Sequence, residues 1–163
     1  LVRDADRYRP NVAVILANRK AQVLLARRSI PADAWQFPQG GVGKGESPEQ
    51  ALYRELLEEV GLQRHLVRRV ASTRRWRTYR IPAALSQRPD LKAFIGQRQK
   101  WYLLEFLGTD EDIRLDREAA PEFDAWQWVS YWYPLRTIVN FKRQVYAGAM
   151  KELAPHLVNI HSC

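Results

Sequence analysis

Two apolar runs near the start of the chain, VAVILA at 12–17 and QVLLAR at 22–27, flank the polar tetrapeptide NRKA and predict a β-hairpin. The apolar rhythm then stops. Pro31, Pro38 and the glycines at 40, 41, 43 and 45 predict a loop over 29–46. From 48 to 60 the period lengthens to that of a helix, with Leu52, Leu56, Val60, Tyr53 and Leu57 on one arc at about 100° per residue. Strands are expected at 66–79 and 101–107, joined by a loop carrying Pro82, Pro89 and Gly96, and again at WQWVSY, 126–131. Pro134 opens a region that leads into a closing helix near 140–153. With no repeat, low-complexity tract or linker, the pattern predicts one α/β domain.

The helix at 48–60 is marked at both ends. Ser47 suits the N-cap, Pro48 the first helical position, and Gln50 completes an S-x-x-Q capping box. Gly61 suits the left-handed residue that ends a helix. On a face apart from the apolar arc, Glu55, Glu58 and Glu59 stand at i, i+3 and i+4.

Charge makes that face conspicuous. The 163-residue chain carries a formal net charge of +8, with 26 Lys and Arg against 18 Asp and Glu. The excess is mostly arginine, which fits either a solvated surface or a polyanionic ligand. Three like charges on one helix turn repel by a few tenths of a kcal/mol per pair. Such faces are often only solvated surface. Here Arg54 is the only nearby cation in the cluster, and a glycine-rich loop runs directly into the helix. A divalent cation would relieve the repulsion, and hard carboxylate oxygens suit Mg²⁺ or Mn²⁺.

The segment 40–62, GGVGKGESPEQALYRELLEEVGL, has the spacing G-x5-E-x7-R-E-U-x-E-E-x-G-U, where U is aliphatic. It resembles the signature box of the Nudix hydrolases at Gly40, Glu46, Arg54, Glu55, Leu56, Glu58, Glu59, Gly61 and Leu62. The resemblance implies a single α/β/α sandwich around a mixed sheet, spanning 7–153 with terminal extensions at 1–6 and 154–163. It also implies divalent-metal-assisted hydrolysis of a diphosphate linkage. Glu55, Glu58 and Glu59 would hold the metal, with backbone carbonyls near Gln39 and Gly40 as further ligands. Arg54 would orient a glutamate, and Glu46 would brace the loop built on Gly40 and Gly41. Glu122 in PEFDAW would act as an extra ligand or as the base.

Further segments, YRPNVAVIL, WQFPQGG, GQRQKWYLLEF, PEFDAWQWVSYWYP and FKRQVY, resemble the bacterial branch of that family acting on RNA ends. That branch converts the 5′-triphosphate end of RNA to a monophosphate and so promotes RNA decay. The alternative substrate class is the dinucleoside polyphosphates. On this reading Arg9 and Arg28 contact the phosphates, while Tyr79 and Phe141, with Lys142, form a stacking slot for an unpaired 5′ base. Gln99 and Lys100 are weaker candidates for the phosphate chain. Two departures from the branch pattern stand out: Ala13 replaces a glycine, and the loop at 27–35 is one residue longer, with Ala34 where serine is common.

The remaining features exclude other classes. No apolar run reaches the roughly 18 residues that span a bilayer, and LVRDADRYRP lacks a signal-peptide core. The single cysteine, Cys163, points to a reducing, cytoplasmic setting. His65, His156 and His161 lack metal-ligand spacing. No protein partner is indicated.

Overall fold

A computed structural model describes residues 4–29, 34–83 and 94–160. Pro31, Pro89, His161 and Cys163 lie outside the described residues, as does most of the extended loop inferred at 27–35. Eight strands form one mixed sheet: β1 (Tyr8–Ala17), β2 (Val23–Arg28), β3 (Ala34–Gln36), β4 (Gln39–Gly41), β5 (Val67–Ser72), β6 (Arg77–Arg80), β7 (Gly96–Phe106) and β8 (Phe123–Val129). Three helices accompany them: α1 (Pro48–Val60), α2 (Pro134–Thr137) and α3 (Asn140–Leu153).

The long strands β1 and β7 run parallel through the centre, paired from Tyr8–Gly96 to Ala17–Glu105. Every side chain of β1 from Asn11 onward is buried, which is why its apolar run is continuous rather than alternating. Its two faces feed different layers. Ala13, Ile15 and Ala17 join the cluster that includes Val145, Tyr146, Ala149 and Met150 of α3. Val12, Val14 and Leu16 join Ala51, Leu52, Leu56 and Val60 of α1. The result is the α/β/α sandwich.

The expected hairpin closes and then opens. Asn18 caps its turn, accepting from the backbone N–H groups of Lys20 and Gln22 at 3.0 Å. Only Ala17–Val23 pairs β1 with β2. Beyond it β2 leaves to pair with β3 and β8, and β4 takes the vacated edge of β1 through Val12–Gly40 and Ala13–Gln39. The segment 29–46 therefore contains two three-residue strands rather than loop throughout.

Three other boundaries differ from expectation. The strand placed at 66–79 is two strands, β5 and β6, both antiparallel to β7. The break falls at Thr73, whose Oγ accepts from the Trp101 N–H at 3.1 Å. Gly96 belongs to β7 rather than to a loop, and it lies so close to Tyr79 backbone that no side chain fits there. The last strand is Phe123–Val129, so Ser130 and Tyr131 fall in the turn before α2. After α3 a 3₁₀ turn, Ala154–Asn159, carries Ile160 into the core. Among the described residues, no helix is long and apolar enough to cross a membrane.

Candidate active site

The α1 boundaries follow from its caps. Ser47 accepts from the Gln50 N–H at 3.1 Å, and Gln50 returns a bond to the Ser47 N–H at 2.9 Å. At the other end Gly61 adopts φ 73°, and its N–H reaches back to the last turn. These caps set the helix phase. The buried arc is Ala51, Leu52, Glu55, Leu56 and Val60, so Glu55 sits on the core-facing edge, while Tyr53 and Leu57 are only partly buried.

Glu55 is 9% exposed. Its carboxylate lies directly on Gly40, where any Cβ would overlap it. Because β4 pairs with β1 at Val12–Gly40, the sheet holds the glycine backbone against the helix acid. One carboxylate oxygen from each of Glu55, Glu58 and Glu59 lies within 4.8 Å of the others.

Arg54 ties this group together. Its Nη1 donates to Glu55 at 2.9 Å and to Glu58 at 3.2 Å. Its Nε and Nη2 donate to the two oxygens of Glu46 at 2.8 and 2.9 Å, and Nη2 also donates to the Gly41 carbonyl at 2.8 Å. Glu46 in turn accepts from the Gly43 N–H at 2.8 Å. One guanidinium thus pins the glycine loop to the helix.

The electrostatics divide the acids into two kinds. The Arg54 bonds, helped by the Gly43 N–H, hold Glu46 down at about 2. Burial pushes Glu55 up, against the pull of Arg54. Burial also pushes Glu59 up to about 7, with Glu122, Glu55, Glu58 and Glu118 adding to the rise. A polar pocket that strains two carboxylates toward protonation suits a cation. The donor set, three hard oxygens on one helix turn, fits a divalent metal rather than a soft one.

Glu122 stands outside the group of three but near enough to repel Glu59 and Glu55. It is set by the end of β2, where the Ser29 N–H donates to its carbonyl at 3.0 Å. Its carboxylate lies 3.3 Å from the Arg28 guanidinium. Arg9 packs over Gly41, where a Cβ would come within 2.7 Å of its Nη2. Lys142, 7% exposed, is pulled down to about 8 by burial and by Arg28, with Glu122 opposing.

The inferred stacking slot takes a different form. Tyr79 and Phe141 are neighbours, with ring centroids 5.9 Å apart and planes at 39°. They touch each other, leaving no gap for a base between them. Tyr79 is only 7% exposed and donates to Gln97 at 2.7 Å. Phe141 is half-buried, so its ring alone is available to a ligand. Gln99 is fully buried, donating to Asn11 and Gln39 and accepting from the Trp101 indole, so it braces the sheet. Lys100 donates to the Arg74 carbonyl at 3.2 Å. This polar brace beneath the site had a signal in the sequence, since Asn11 interrupts an apolar strand and Gln97 and Gln99 alternate in GQRQKW.

Residues 7–149 match the NUDIX domain model. The chain is 55% identical over 156 residues to RNA pyrophosphohydrolase of Pseudomonas savastanoi pv. phaseolicola, covering 96% of this chain and 98% of that protein. It is 54% identical over 152 residues to RNA pyrophosphohydrolase of Proteus mirabilis, covering 93% and 86%. Among solved structures it is similar to the E. coli dihydroneopterin triphosphate pyrophosphohydrolase, with TM-score 0.69 and 19% identity over 89% of this chain and 98% of that one. It is also similar to a C. elegans Ap4A hydrolase, with TM-score 0.66 and 18% identity over 92% and 99%. A shared fold is what those two structures establish. The domain match and the near-full-length identities go further, and on them the chain belongs to the NUDIX family.

Proposed function

We propose that this protein is a divalent-metal-dependent RNA pyrophosphohydrolase, converting the 5′-triphosphate end of RNA to a 5′-monophosphate and thereby promoting RNA decay. The observation that carries the reading is the identity of 54–55%, over nearly the whole chain, to proteins named for that activity. The intact acid cluster on α1 supports it.

The reaction adds the elements of water across one phosphoanhydride bond. The water oxygen joins phosphorus, pyrophosphate leaves with the bridging oxygen, and one proton is released. Glu55, Glu58 and Glu59 would hold Mg²⁺, with Mn²⁺ as the alternative. When bound there, the metal neutralises the phosphate chain and polarises the phosphorus under attack. Arg54 keeps Glu55 and Glu58 aimed together while its other edge holds the loop through Glu46. Glu122, across from Glu59, takes the role of further ligand or proton acceptor. Arg9, Arg28 and Lys142 surround the acids with positive charge and would hold the triphosphate. Phe141 offers its ring to an unpaired base at the 5′ end, and the cytoplasm is the compartment that fits this substrate.

The test is direct. Triphosphorylated RNA incubated with the protein and Mg²⁺ should release pyrophosphate and acquire a 5′-monophosphate; persistence of the triphosphate would overturn the reading. The dinucleoside polyphosphate alternative has weaker support, because the similar Ap4A hydrolase is only 18% identical. Comparing kcat/KM on triphosphorylated RNA and on diadenosine tetraphosphate decides between them.

A further inference from the structure

The acids of α1 are not the only like charges that the chain crowds together. Residues 74–77 read RRWR and turn the corner between β5 and β6. There Arg74, Arg75, Trp76, Arg77, Glu152 and His156 line an open cleft of about 580 Å³. Its one acid is already engaged: Glu152 accepts from the Arg74 N–H at 2.7 Å and from the Arg77 guanidinium at 2.9 Å. Arg74 and Arg75 are exposed, and the buried Nε of Arg77 has no hydrogen-bond partner. The guanidinium of Arg98 lies 4.4 Å over the half-buried ring of Trp76. Clustered cations around an aromatic ring suit a strand of phosphates and bases better than a purely acidic peptide, which has no use for the ring.

The cleft also connects to the acid site along a single seam. Phe141, Val145, Gly148 and Glu152 recur at i, i+4, i+7 and i+11 and so share one face of α3. Strand β6 lies beside that face. Tyr79 meets Phe141 at one end. The Arg77 guanidinium occupies the space that a side chain at position 148 would need, and Glu152 then holds Arg77 and the Arg74 backbone. Eleven residues of helix separate Phe141 from Glu152, about 16 Å of rise. A single strand entering the acid site at Phe141 would reach the cleft within a few nucleotides.

We propose that the Arg74–Arg77 cleft holds the single-stranded RNA that follows the 5′ end, with Arg74 and Arg75 taking its phosphates and Trp76 offering a ring face to a base. The inference rests on the RNA reading above. It makes the cleft a second subsite that distinguishes long RNA from short triphosphorylated substrates.

The double variant R74Q/R75Q tests it. Both side chains are exposed, and the contacts of Arg74 with Glu152 and Lys100 are through its backbone, so the fold is kept. Turnover is measured with Mg²⁺ on a triphosphorylated dinucleotide and on an unstructured triphosphorylated decamer, each over a range of salt. The dinucleotide should be processed within about twofold of the unaltered protein, whereas kcat/KM on the decamer should fall about five- to tenfold, mainly through KM. The slope of log kcat/KM against log salt on the decamer should shrink by about one. Equal losses at both lengths, or no loss at either, would overturn the proposal. So would a variant with unchanged decamer turnover that no longer binds a polyglutamate probe, since that result assigns the cleft to an acidic protein segment. Failure of the parent reading looks different, because the unaltered protein would then leave the triphosphate intact at both lengths. Binding of a 5′-hydroxyl decamer, followed by fluorescence anisotropy, needs no hydrolysis and would still report on Arg74 and Arg75.

Discussion

Gly40 and Gly41 are adjacent, yet they are glycines for different reasons. Neither has a left-handed backbone, so the requirement is space. At Gly40 a side chain would displace the Glu55 carboxylate, which is nearly buried and held by Arg54. At Gly41 it would meet the tip of Arg9, a flexible group that can move. Gly40→Ala should therefore lower kcat by about 10²-fold or more, since it disturbs the first shell of the proposed metal. Gly41→Ala should act mainly through KM, by a few-fold. Steady-state kinetics on both variants separates the cases, and equal, small effects would remove Gly40 from the site. Glu59→Gln should also lower turnover by orders of magnitude, while its melting temperature holds or rises because a repelling charge is gone. Normal turnover in that variant would take Glu59 out of the chemistry.

At the scale of elements, α1 and its preceding loop behave as one unit, and Glu46 is the joint. The Glu46–Arg54 pair puts both carboxylate oxygens on one guanidinium, a geometry stronger than an ordinary surface pair. Its folded pKa of about 2 lies below the ordinary 4.5. The pair therefore contributes its full stability above about pH 4.5 and loses it as pH falls toward 2. Glu46→Gln should cost about 1 kcal/mol at pH 7, after allowance for solvent screening, and the gap should close in acid. Denaturant unfolding at pH 7 and pH 2.5 checks the sign; a gap that widened in acid would assign the stabilisation elsewhere. This unit was legible in the sequence because its determinants are local: caps at Ser47 and Gly61, and acids at helical spacing. Strands β3, β4 and β6 were not, because each is three or four residues long and exists through partners distant in the chain, such as Val12 for Gly40 and Gln99 for Arg77. Tyr79 misled for the same reason. It sits in the polar run RTYR and is buried only because α3 closes over it.

For the whole molecule, the decisive question is how a chain of net charge +8 attracts a divalent cation and a polyanion to one place. Distance answers it. At physiological ionic strength the general positive field decays over about 8 Å, so a small cation responds mainly to the three carboxylates around it. A long polyanion samples the wider field and the arginines beyond the acids. Metal binding should then raise stability by mass action, about 2.7 kcal/mol at a hundredfold excess over Kd. For a domain of this size that corresponds to a melting-temperature rise of about 5–10 °C. The rise should vanish in a Glu55→Gln/Glu58→Gln/Glu59→Gln variant, and it should persist in R74Q/R75Q, whose substitutions lie at the other end of the α3 seam. An equal rise in the triple variant would mean that Mg²⁺ binds elsewhere. Because the triple variant relieves the repulsion among the acids, it should also melt higher than the unaltered protein when both are free of metal. That pair of shifts, opposite in origin and measured in the same experiment, distinguishes a cluster of acids strained to receive a cation from an acidic face that merely meets solvent.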